Sequence, residues 1–107
     1  MLAQRGIYCC VTQNVEPKRL ISRQSPSEMS FSKIKRLRKK IKEKGFDLNE
    51  PIEVADAEDR LIILDGHHRV QAAIGARLKE VPARIYETTK EETQLLLNQA
   101  AEAKLYQ

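Results

Sequence analysis

Leu61-Ile62-Ile63-Leu64-Asp65-Gly66-His67-His68-Arg69-Val70-Gln71-Ala72-Ala73 changes its hydrophobic period at the glycine. Four consecutive apolar residues, two of them β-branched, predict a buried strand. Asp65-Gly66 breaks that run, and Val70, Ala73 and Ile74 then recur at helical spacing, with Gly75 as the stop. A strand, a tight turn and a helix in this order set the first unpaired N–H groups of the helix at the end of the strand. Those groups carry the positive end of the helix dipole and suit a phosphate or carboxylate. Arg69 adds a planar fork of donors that matches the same anions. A plainer reading stands beside this one: Asp65 as a helix N-cap, Gly66 as an ordinary turn residue, the histidine pair as surface. On a helical wheel that turns Val70, Ala73 and Ile74 inward, His68 points away from the core and His67 and Arg69 flank it.

Working outward, Pro51–Ala55 reads as a strand, Asp56-Ala57-Glu58-Asp59 as a turn and Arg60–Leu64 as its hairpin partner. Upstream, Ser30 is placed to cap a helix to about Lys44, with Phe31, Ile34, Leu37 and Ile41 as its apolar stripe and Gly45 closing it. Further back, Arg19-Leu20-Ile21 and Ile7-Tyr8-Cys9-Cys10-Val11 are candidate short strands. Gln24-Ser25-Pro26-Ser27 is turn-like, and its small polar side chains can bind a phosphate or their own backbone. Downstream, Val81–Tyr86 is a strand that tolerates Pro82 near its start. Thr88 or Thr89 with Glu91 or Glu92 forms a capping box for a last helix to about Leu105, with Leu95, Leu96, Ala100 and Ala103 on its apolar side.

Lys44-Gly45, Glu50-Pro51-Ile52-Glu53-Val54, Gly66-His67-His68-Arg69-Val70-Gln71-Ala72-Ala73 and Val81-Pro82-Ala83-Arg84-Ile85 follow one another in the order seen in ParB-type N-terminal domains. On these motifs the chain resembles the ParB/sulfiredoxin superfamily. The resemblance implies an α/β (α+β) domain with a small mixed sheet and packed helices, its core about residues 18–88 and its C-terminal helix about 89–105. Sulfiredoxins place Cys-His-Arg after the glycine; His67 takes the cysteine's place here, which argues against sulfinic-acid reduction. Asp-Gly-His-x-Arg looks closest to free-serine kinases of this fold. Arg23-Gln24-Ser25-Pro26-Ser27-Glu28-Met29-Ser30 taken with Asp65–Arg69 also looks like ParB-like domains at the C-termini of bacterial polymorphic toxins. In ParB-like folds the Gln24–Ser27 segment packs near the nucleotide.

With 107 residues the chain makes one domain with a modest core, and no apolar run approaches the ~20 residues of a membrane span. Adjacent Cys9-Cys10 form no disulfide framework, and two adjacent histidines have no metal-ligand spacing. Charge is unevenly spread. Through Gly45 twelve basic residues face three acidic ones, whereas the remainder has seven against twelve. Such asymmetry suits a basic face for nucleic acid or another polyanion. Lys33, Lys35, Arg36, Arg38, Lys39, Lys40, Lys42 and Lys44 crowd one helix without the alternating signs of a purely structural one. Of these, Lys35, Arg36, Lys39 and Lys40 are the candidates for phosphate-backbone contact; a solvated face or a docking site for an acidic partner is the alternative.

No Ser or Cys adjoins the histidines, so the chemistry left is that of phosphate. Gly66, His68 and Arg69 would hold it, joined through the resemblance by Gln24, Ser25, Ser27 and Glu50. His67 would be the acid/base, since imidazole gives or takes a proton near neutrality. Asp65, Glu50 and Glu28 are carboxylates to orient a water or bind Mg²⁺. The reading put first is a toxin-type effector acting on phosphate bonds, a nuclease on DNA or RNA, with an acidic immunity protein covering the basic face. It would act in a cytoplasm after delivery as the C-terminal part of a larger secreted protein. An ATP- or CTP-binding hydrolase or kinase-like domain, and a non-catalytic nucleotide-dependent DNA-binding switch, are the alternatives.

Overall fold

The computed structural model describes residues 11–105. Along them run β1 (Val11–Val15), α1 (Phe31–Lys44), β2 (Ile52–Ala57), β3 (Arg60–Asp65), α2 (His67–Gly75), β4 (Val81–Glu87) and α3 (Lys90–Leu105), with 3-10 turns at Pro17–Arg19 and Pro26–Glu28. One mixed sheet is ordered β1-β4-β2-β3: β2 and β4 are parallel at its centre, while β3 and β1 are antiparallel at its two edges. This is the small mixed sheet with packed helices that the sequence implies.

Strand alternation sorts the apolar residues onto two faces. Ile52, Val54, Ile63, Val81 and Ala83 meet Val70 and Ala73 of α2, together with Val15 and Leu20. On the other face Ala55, Ala57 and Ile62 lie under Leu96 of α3. Alanine at 55 and 57 lets that helix approach the sheet closely. The α3 capping box is formed by Thr89 and Glu92: each backbone N–H donates to the other's side chain, at 3.0 and 3.2 Å.

The hairpin turn is shorter than the composition of Asp56–Asp59 suggests. Asp56 and Ala57 stay in β2, and Glu58 and Asp59, at φ 54° and 67°, make a two-residue type I′ turn. Asp56 keeps a turn role, accepting from the Asp59 N–H at 3.2 Å. The strand expected at Arg19–Ile21 contracts to one residue, because Pro17 starts a 3-10 turn through Arg19. Ile21 donates to Leu61 and accepts from Ile63 across the outer edge of β3. Of the strand expected at Ile7–Val11, Val11 opens β1 and the other residues, with the cysteine pair, lie outside those described.

α1 packs on α2. It is capped by Ser30, whose hydroxyl accepts from the Lys33 N–H, and closed by Gly45 at φ 80°. Its apolar stripe is shorter than the spacing implies: Ile41 is buried and Ile34 and Leu37 are half-buried, but Phe31 is 72% exposed. Helical side chains lean toward the N-terminus, so the ring of a first-turn residue overhangs the end of the helix rather than its neighbour. Gly75, expected as the stop of α2, is its last helical residue, and the left-handed position falls on Arg77 at φ 61°. The glycine serves packing instead: a Cβ there would lie 2.9 Å from Cδ of Arg38 on α1.

Candidate functional site

β3 delivers Asp65 in extended conformation, paired with Glu53 of β2, so the turn into α2 is left to Gly66 alone. Gly66 takes φ 103°, and a Cβ there would lie 2.8 Å from Ile52 Cδ1 and 3.0 Å from an Arg69 guanidinium nitrogen. Both conformation and space demand glycine. Asp65, a helix cap on the plainer reading, makes no cap bond and pairs with Arg69 at 3.6 Å. Gly66 is the N-cap and offers no side chain, and the first amide to bond back within the helix is that of Val70. The N–H groups of His67, His68 and Arg69 therefore stand at the helix start without a side-chain cap.

The guanidinium of Arg69 lies beside this turn, where it donates to the Glu50 carbonyl and pairs with Asp65. Glu50 thus takes part through its backbone, and its side chain is exposed. Arg69 also lines a cavity of about 510 Å³, together with Lys40, Ile41, Lys44 and Phe46. A larger groove, about 1260 Å³, lies elsewhere, around Val15, Leu61, Ile74 and Arg77, and includes none of the predicted site residues.

The two histidines face the segment Arg23–Ser30. His67 Nε2 accepts from the Arg23 backbone N–H at 3.3 Å, and His68 Nε2 accepts from the Ser30 backbone N–H at 3.1 Å. Adjacent imidazoles thus hold the two ends of one loop. Accepting at Nε2 places the proton of each neutral ring on Nδ1. His67, expected to flank the core, is 6% exposed. The wheel missed this because the loop covers the helix start from outside the helix. Burial, aided by the Arg23 guanidinium, pushes the His67 pKa down to about 4, against weaker pulls from Asp65 and Glu28. At neutral pH it is an uncharged ring with its lone pair engaged, which suits holding the loop better than moving protons.

Within the loop, Ser25 is buried, and its N–H and hydroxyl donate to the Glu28 carboxylate at 2.9 and 3.1 Å. These bonds, the backbone one first, hold the Glu28 carboxyl below its usual range. The Ser27 hydroxyl meets that of Ser25 at 2.9 Å, and Gln24 Oε1 is buried with no hydrogen-bond partner. Lys35, Arg36, Lys39 and Lys40 are all exposed on α1.

Arg23 is the organising residue that the spacing of motifs alone does not reveal. Its guanidinium donates to the Ile63 carbonyl at 2.7 Å, the Leu64 carbonyl at 2.8 Å and Gln99 Oε1 at 3.1 Å. It ties the loop to the end of β3 and to α3. A basic residue next to Gln24-Ser25 was a faint signal for this; Gln99 carried none.

A ParB N-terminal domain family model matches residues 5–100. Among solved structures, sulfiredoxin from Arabidopsis thaliana superposes with a TM-score of 0.65 at 21% identity, covering 81% of this chain and 97% of that one. The C-terminally truncated chromosome-partitioning protein ParB from Caulobacter crescentus, complexed with CTP-gamma-S, gives 0.61 at 24% identity, covering 86% of this chain and 52% of that one. A free serine kinase in complex with AMP gives 0.59 at 21% identity, covering 69% of this chain and 30% of that one. The chain thus spans about half of the Caulobacter chain and under a third of the kinase chain. No match was found among curated protein sequences. The family match runs from β1 into α3, and with the glycine-initiated helix and the sheet order it establishes that this protein belongs to the ParB N-terminal domain family.

Proposed function

We propose that this domain binds a nucleotide through its phosphates, at the start of α2 between Arg69 and the Arg23–Ser30 loop. The observation that carries the reading is the set of uncapped amides at His67–Arg69, flanked by a guanidinium and faced by a loop fastened at both ends. Backbone donors and Arg69 recognise the phosphates; Gln24, Ser25 and Ser27 supply small polar groups beside them. The nucleotides bound by the Caulobacter ParB and the serine kinase support this reading.

Cleavage of a phosphate bond, the toxin-type activity, would use Glu28 and Asp65, as the sequence suggests, with the acid/base role moved away from His67. With the His67 lone pair engaged, proton handling falls to Glu28, whose carboxylate is held ionised near His67. Asp65 and His68 complete the polar set. Among the described residues no group of three or more His, Cys, Asp or Glu converges to hold a metal ion. Mg²⁺ would accordingly be held by nucleotide phosphates with one carboxylate, Glu28 or Asp65, and would neutralise phosphate charge. The uncompensated basic face of α1 favours a polyanion as partner, or an acidic protein that covers it.

Calorimetric titration of the domain with ATP and CTP, with and without Mg²⁺, tests the binding claim. Phosphate-release and nucleic-acid cleavage assays on the same protein test turnover. Micromolar binding without turnover leaves a nucleotide-binding module. Absence of binding up to millimolar nucleotide refutes the site.

A further inference from the structure

Phe31 is the one exposed ring among the described residues; Phe46 is half-buried and Tyr86 buried. It stands at the first position of α1, and Lys35 and Lys39 follow it at intervals of four residues, about 6 Å along the axis per step. Lys42 falls on the same flank by helical spacing. All three lysines are exposed, and no ion pair engages them among the described residues. An aromatic platform in line with uncompensated cations matches the two needs of an unpaired strand: a face on which a base stacks, and charge along the backbone.

We propose that the Phe31–Lys35–Lys39–Lys42 flank of α1 is a binding surface for single-stranded nucleic acid. The choice of a single strand follows from the ring. In a duplex the base faces are stacked on one another and offer a phenyl group nothing, whereas splayed bases stack on aromatic side chains. The choice of a polymer follows from length: the lysines continue for more than two turns beyond the ring, farther than one mononucleotide requires. The surface begins where the Arg23–Ser30 loop ends, next to the nucleotide site proposed above, and runs away from it along α1; its argument does not depend on that site being occupied.

Fluorescence anisotropy of the whole chain with labelled 20-nucleotide DNA and RNA strands, with the matching duplexes and with a labelled mononucleotide, tests this surface. Phe31→Ala should weaken both single strands by about 5- to 100-fold, Phe31→Trp should restore them, and neither should alter duplex binding. The Lys35→Gln/Lys39→Gln pair should flatten the salt dependence of single-strand binding by roughly 0.7 per lost contact, which Phe31→Ala should leave intact. A preference of DNA over RNA or the reverse identifies the natural strand. The proposal is overturned if Phe31→Ala binds strands like wild type, or if it weakens mononucleotide binding equally. It is also overturned if wild type binds no strand but dimerises through Phe31 by light scattering.

Discussion

His67 accepts a hydrogen bond at Nε2 from the backbone N–H of Arg23, 44 residues earlier, and is nearly inaccessible to solvent while doing so. The bond exists only while the ring is neutral at that nitrogen. Burial holds the folded-state pKa near 4, against 6.5 for an ordinary histidine. Unfolding therefore takes up a proton between those values. The contribution to stability is fully present above about pH 6.5 and is lost as pH falls toward 4, by up to about 2 kcal/mol once screening by nearby solvent is allowed for. Urea midpoints at pH 7 and pH 5 should differ in wild type and converge in His67→Gln, which retains an acceptor but does not titrate.

Arg69→Ala should cut nucleotide affinity about tenfold or more, a charge-assisted contact being worth roughly 1.5–3 kcal/mol. Arg69→Lys should recover little of it, because an ammonium cannot reach the Glu50 carbonyl, Asp65 and a phosphate in one planar fork. Titration calorimetry at fixed salt is the measurement, and an affinity unchanged in both variants would remove Arg69 from the site.

Gly66→Ala meets two penalties together. The backbone conformation is left-handed, and the new methyl would press on Ile52 Cδ1. A loss of about 1–3 kcal/mol is expected, accompanied by weaker phosphate binding as the helix start shifts. Thermal unfolding gives the first quantity and nucleotide titration the second.

Arg23→Lys should be costly although charge is conserved. At least one of the Ile63 and Leu64 carbonyls loses its donor, at about 1–3 kcal/mol for a group cut off from water. A melting temperature within a degree of wild type would show that water substitutes for the guanidinium.

Most elements were legible because they rest on local chemistry. Ser30 with Gly45, the Thr89–Glu92 box and the Leu61–Leu64 run each carry their own signal, and each stands where that signal puts it. The errors fall where tertiary contact decides. Asp65 has the chemistry of a cap, but the ladder with Glu53 keeps it in the strand. Phe31 has the spacing of a core residue, but as the first residue of α1 its side chain leans past the end of the helix and stays 72% exposed. The histidine pair was visible, yet its partners lie 38 and 44 residues away, a relation that no periodicity encodes. Arg23 and Gln99 meet only because α3 folds back over β3.

Ile21 closes the outer edge of β3 with two backbone hydrogen bonds, one of them from the Ile63 N–H, and the chain then runs directly into the loop that the histidines hold. Edge guard and site loop are therefore one piece of polypeptide. The Ile63 amide proton exchanges with deuterated solvent only when that piece lifts, so its exchange rate reads the free energy of loop opening. Anything that fastens the loop should slow this one proton, while amides in the central β2–β4 ladder keep their own pace. On the proposed nucleotide site, the Ile63 amide would serve as an occupancy gauge, readable without a label, a chromophore or an assay of turnover.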